Sequence, residues 1–180
     1  MKKIEIPEQK LYDEKNNEIH YLKKTTIVLE HSLISISKWE SKWKQPFLSK
    51  DPKTEEQTID YIRCMTLTQN VNPYVYFALT PQNFKEVAEY IEDPMTATWF
   101  NEKEKPKKSS EVVTSELIYY WMSAFQIPFS AEKWHLNRLL TLIRIANIKN
   151  QPPKKMSKKD IVSRNRALNA ERRKKLNTRG

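Results

Sequence analysis

The sequence predicts a mainly α chain with a small N-terminal β ribbon or sheet, an α+β fold whose helical-bundle body carries a basic C-terminal helix or arm. Three observations predict it. The first 30 residues hold short β-branched and alternating runs, the two-residue period of strands. From Leu33 onward apolar residues recur at intervals of three and four, the period of helices. Positive charge is then concentrated in residues 149–180 rather than spread over the chain. The expected organisation is therefore a ribbon over 1–30, a helical body over 31–149 and a basic arm over 150–180.

The strands come first. Ile4 and Ile6 flank Glu5. Lys10–Asp13 and Glu18–Leu22 are separated by Glu14, Lys15, Asn16 and Asn17, a polar spacer suited to a hairpin although it lacks Asn-Gly. Thr25–Leu29 is β-branched and reads as a third strand.

Helical spacing follows. Leu33, Ile36, Trp39 and Trp43 define one apolar face, which Pro46 ends. Thr54 with Gln57 forms a capping-box pattern before Ile59, Ile62 and Met65. Thr80-Pro81 places a capping hydroxyl before a first-turn proline, and Phe84, Val87, Ala88 and Ile91 form the expected buried stripe. Asn101–Ser110, rich in Lys, is expected to be an exposed loop. In the next helix Val113, Leu117, Tyr120 and Ala124 share one face, while Ile118, Met122 and Phe125 share another. Pro128 ends it and Ser130 can cap its successor. Residues 131–149 are apolar nearly all round, which predicts a covered helix at the centre of the fold.

The arm begins after Gln151-Pro152-Pro153. Ser157-Lys158-Lys159-Asp160 resembles a capping box for a helix of about 17 residues ending near Asn177. Residues 1–148 carry 20 cations and 20 anions, so residues 149–180 supply the whole net charge of +10. The cations Lys154, Lys155, Lys158, Lys159, Arg164, Arg166, Arg172, Arg173, Lys174 and Lys175 make this segment the candidate partner-binding arm. Phosphate binding would make its affinity fall steeply with salt. An acidic or amphipathic protein partner is the alternative, and a solvated end the third reading.

Composition excludes several classes. The one Gly is Gly180, so phosphate-cradling loops, dinucleotide turns and nucleophile elbows have no glycine to use. Cys64 alone permits neither a disulfide nor a Cys-rich zinc site, and it reads as a small buried hydrophobe. His20, His31 and His135 lack metal-ligand spacing and read as surface or hydrogen-bonded residues. No acidic pair sits in an apolar setting that would raise a pKa for acid–base work. The expectation is a non-enzyme with no catalytic residue, metal or cofactor. No apolar run reaches the roughly 18 residues of a membrane span, and Met1-Lys2-Lys3-Ile4-Glu5 puts charges where a signal peptide needs an apolar core. With its lone thiol, the chain is expected to be cytoplasmic.

Five Trp and eight Tyr raise the option of base stacking. Trp39, Trp43, Tyr120, Trp121 and Trp134 fall on or beside apolar stripes, however, so core packing is the expected use. Asn72–Phe77 reads equally as a buried strand, a short helix or a docking patch.

Tyr119-Tyr120-Trp121-Met122, Trp134–Leu140, Met156-Ser157 and Asn165–Asn169 together resemble small tail-gene proteins of tailed bacteriophages, nearest the tail assembly chaperones. That resemblance covers about the last 70 residues. It implies a largely helical, non-catalytic protein of the host cytoplasm during infection, which binds the tape measure protein, keeps that long apolar helix from aggregating and recruits tail-tube subunits. It also implies that a frameshifted longer form can exist. The N-terminal β pattern departs from that family. The expected protein contact is an apolar surface including Tyr120, Trp121, Trp134, Leu136, Leu140 and Ile143, with the basic arm as a second contact. The alternatives are a nucleic-acid-binding protein using its tail and a minor virion connector, and the oligomeric state stays open.

Overall fold

The structure is a computed structural model and describes residues 1–13, 16–100, 112–151 and 158–177. It is mainly α with two small antiparallel sheets near the N-terminus. In chain order the elements are β1 (Lys2–Ile6), β2 (Gln9–Asp13), β3 (Glu18–Leu22), β4 (Thr25–Leu29), α1 (Leu33–Trp43), α2 (Glu55–Met65), α3 (Pro81–Glu92), α4 (Ser115–Ala124), α5 (Leu136–Asn150) and α6 (Lys158–Leu176). Short 3-10 segments run over Pro73–Ala78 and Phe129–Lys133. The chain divides into two compact units, Met1–Asn147 and Ile148–Gly180.

The β region is two ribbons rather than one sheet. β2 pairs with β3, with Tyr12 opposite Ile19. The turn needs no glycine because Asn17 takes the left-handed conformation, at φ 53°. Asn16 steadies it by donating its side-chain amide to Asp13 Oδ2 at 2.8 Å. β1 instead pairs with β4, Ile4 opposite Ile27. Alternation turns Ile4, Ile6, Ile27 and Leu29 inward, each no more than 1% exposed, and leaves Lys3, Glu5 and Thr26 outside. The free edge of β4 is covered by the chain leaving α2: Glu30 N–H donates to the Met65 carbonyl and Leu67 N–H to the Val28 carbonyl.

Helix boundaries follow their capping residues. Thr54 and Gln57 close a reciprocal capping box on α2. Thr80 and Asn83 do the same on α3, with Pro81 in its first turn. α1 stops two residues before Pro46, at Lys44, whose φ of 53° is left-handed. In α4 the Ile118 and Met122 face points inward, while Tyr120 and Ala124 are exposed. The ambiguous Asn72–Phe77 run is a 3-10 turn that buries Val75, Tyr76 and Ala78 and exposes Phe77.

Three expectations are corrected. In α3 the buried residues are Asn83, Val87 and Tyr90, and Ala88 faces outward. Ser130 lies in a 3-10 segment, so it does not cap α5, which begins six residues later. α5 is also not the covered centre. It buries only Leu136, Leu139 and Ile143, and Ile148 is 51% exposed. The core is shared instead by β1, β4, α1, α2, α4 and the first turns of α5, through Leu33, Ile36, Ile62, Met65, Ile118 and Met122 among others. The 101–110 loop, Glu14-Lys15 of the hairpin spacer and the Ser157 cap lie outside the described residues.

Side-chain amides tie these elements together. Gln9 donates to the Ala78 carbonyl, Asn83 to the Glu5 carbonyl, and Asn137 to both Ile91 and Asp93 carbonyls at the end of α3. Each satisfies a backbone acceptor that the adjoining ladder or helix leaves open.

Candidate functional site

Three features carry polar or accessible chemistry, and each arises from a different stretch of sequence. The first is a cleft between α4 and α5. Trp121 of α4 and Phe125, the C-cap one turn further on, face Leu140 and Ile143 of α5, and the exposed Arg144 and Asn147 complete the lining. The spacing of four across the end of α4 and of three, four and seven on α5 puts each set on one side of its helix. Arg144 also holds its guanidinium over Phe100, 3.9 Å from the ring centroid, which fixes one end of the lining electrostatically.

Of the predicted apolar-surface residues, the cleft therefore brings together Trp121, Leu140 and Ile143. Leu136 is corrected: it is 1% exposed and belongs to the core. Tyr120 and Trp134 are exposed, at 65% and 38%, but line no part of this cleft, and neither is the core residue its stripe suggests. Trp134 stacks under the Arg138 guanidinium at 4.5 Å. Phe125 escaped the sequence pattern because it shares a face with Ile118 and Met122 in the helical period; the helix ends at Ala124, and Phe125 turns aside as its C-cap.

The second feature is α6. Its 19 residues contain eight cations, Lys158, Lys159, Arg164, Arg166, Arg172, Arg173, Lys174 and Lys175. All of these are exposed. Ile161, Val162, Leu168 and Leu176 fall on one side of the helix, within about 120° of arc, but Lys158, Asn165, Asn169 and Arg172 stand in the same arc and interrupt it, so no continuous apolar face forms. Arg173, Lys174 and Lys175 occupy the last turn, where the helix dipole favours positive charge. Glu171 is bridged to Lys175 at 3.3 Å. Lys154 and Lys155 lie outside the described residues.

The third feature is a buried knot of two imidazoles and two phenols. His31 Nδ1 and the Tyr61 hydroxyl share a hydrogen bond of 2.5 Å. The His31 backbone N–H donates to the Tyr90 hydroxyl. His135 Nε2 lies 2.9 Å from the Tyr90 carbonyl, which can only accept, so that nitrogen carries the proton. His135 Nδ1 is then a bare buried acceptor with no partner among the described residues. Burial, then the neighbouring His135, lowers the His31 pKa to about 3, and burial likewise lowers that of His135. Burial raises the Tyr61 phenol well above its ordinary value. All of these groups are held neutral at neutral pH. The knot joins α1, α2, α3 and α5, helped by a backbone bridge between Ser32 and His135.

Two further buried carboxylates are spent on structure. The buried Glu40 carboxylate accepts from Phe47 N–H and Ser115 N–H, both at 2.8 Å. Asp60 accepts from Lys42 and from the Trp43 indole. Burial raises the Cys64 thiol pKa, which keeps it protonated. Among the described residues no group of three His, Cys, Asp or Glu is placed to hold a metal ion, and no helix is long and apolar enough to cross a membrane. The chain matches no protein-family model, no curated protein and no solved structure.

Proposed function

We propose that this chain is a non-enzymatic bacteriophage tail assembly factor, acting as tail assembly chaperones do. Its helical body holds an apolar segment of the tape measure protein, and its basic arm makes a second contact. The α4–α5 cleft is the observation that carries this reading. Trp121, Phe125, Leu140 and Ile143 form an apolar floor open to solvent, the form of site that takes anchors spaced three, four and seven apart on a partner helix. A tape measure helix presents such anchors, and sequestering them would prevent its aggregation. The buried titratable groups support a binding role, since they are neutral and engaged in holding elements together.

Co-expression with a tape measure fragment tests the proposal. The wild-type chain should move the fragment into the soluble fraction and co-purify with it. Trp121→Ser, whose side chain is only half-buried, should fold and lose that effect. An insoluble fragment despite abundant wild-type protein, or full rescue by Trp121→Ser, would sink the assignment of this cleft.

A further inference from the structure

The proposed function gives the basic arm a second contact without saying what chemistry α6 recognises there, and this inference goes beyond it because α6 belongs to the other compact unit. We infer that α6 binds double-stranded DNA by lying along the major groove. Successive residues of a helix are about 100° apart, and its 19 residues extend about 28 Å. On that wheel Asn165 and Asn169, one turn apart, mark the middle of one face, which they share with Lys158, Ile161, Val162, Leu168 and Leu176. Lys159, Arg166 and Arg173 fall on one flank of this face. Arg164, Arg172 and Lys175 fall on the other.

This arrangement selects among polyanions. A helix about 10–12 Å across matches the B-DNA major groove, about 12 Å wide, whose two walls are lines of phosphate. Cations on both flanks can reach both walls while the asparagines between them face base edges, and asparagine pairs with adenine there. Single strands are gripped by stacking on aromatic side chains, and α6 contains no aromatic residue. Duplex RNA presents a deep, narrow major groove that side chains cannot read. A protein groove or an anionic membrane would need a continuous apolar face, and the apolar side of α6 is broken by Lys158, Asn165, Asn169 and Arg172.

The full-length chain, titrated into a fluorescently labelled 20-base-pair DNA duplex at increasing salt, tests this by anisotropy. If at least half of the eight cations reach phosphates, log affinity should fall against log salt with a slope of about −4 or steeper. A single strand of equal length, polyglutamate and phosphatidylserine vesicles should each bind at least tenfold more weakly. Neutralising Arg166→Gln, Arg172→Gln and Arg173→Gln together should make the slope shallower by about three, since each phosphate contact contributes about one. The same three changed to Lys should restore it. Asn165→Ala with Asn169→Ala should keep the slope and weaken binding. Absence of salt-dependent binding, equal or tighter binding to any of the three competitors, or a slope indifferent to the Gln changes would each overturn the inference. Unchanged affinity in the Asn variant would overturn the placement of that face.

Discussion

The imidazole rings of His31 and His135 lie edge to face in the interior, their centroids 4.9 Å apart, although 104 residues of chain separate them. One ring precedes α1 and the other precedes α5, so the pair locks the starts of two helices together. Neither ring can accept a proton without placing a charge where water does not reach.

Acid should therefore loosen the body. In the folded state the His31 pKa is depressed to about 3, below its ordinary 6.5, so the unfolded chain binds the proton first. Its contribution is complete above pH 6.5 and is lost as pH falls from there toward 3, with a slope of up to about 1.4 kcal/mol per pH unit. His135 is shifted the same way. The urea midpoint should drop clearly between pH 7.5 and pH 5, and a midpoint constant over that range would contradict the buried, neutral pair.

Glu40 is a second internal clamp. Its two oxygens satisfy Phe47 N–H after α1 and Ser115 N–H at the start of α4. Glu40→Ala would leave two buried donors unpaired, at about 1–3 kcal/mol each. Equilibrium unfolding should show a loss of about 2–6 kcal/mol on that basis, with Glu40→Gln, which keeps one acceptor, losing less. A loss under 1 kcal/mol for the alanine variant would mean that the two N–H groups find other acceptors.

Lys44 offers a gain rather than a loss. It closes α1 in the left-handed conformation that L-residues adopt at a cost of about 1–2 kcal/mol. Lys44→Gly should raise stability by about 1 kcal/mol, because glycine takes that conformation freely. A lower denaturation midpoint for this variant would show that the Lys44 side chain contributes more than its backbone strain costs.

The local grammar of the chain was readable where two signals agreed. Thr54 with Gln57, and Thr80 with Pro81, announced helix starts because capping and apolar period coincided. The hairpin was readable from its polar spacer. What period alone could not fix was which side of an apolar helix meets the core. α5 has apolar residues nearly all round, yet only the line through Leu136, Leu139 and Ile143 is buried. Tertiary context chose among equivalent faces, and it left Leu140 to line the cleft. The His–Tyr knot was illegible for another reason: its members stand at positions 31, 61, 90 and 135, and no short-range pattern joins them. The pairing of β1 with β4 around a second ribbon is likewise a long-range choice.

Asn137 grips the end of α3 from the same helix that supplies Leu140 and Ile143, and Asn83 in turn grips β1. A load pulling on α5 is therefore not carried by that helix alone. It is shared, through two carboxamide couplings, with α3 and the first strand.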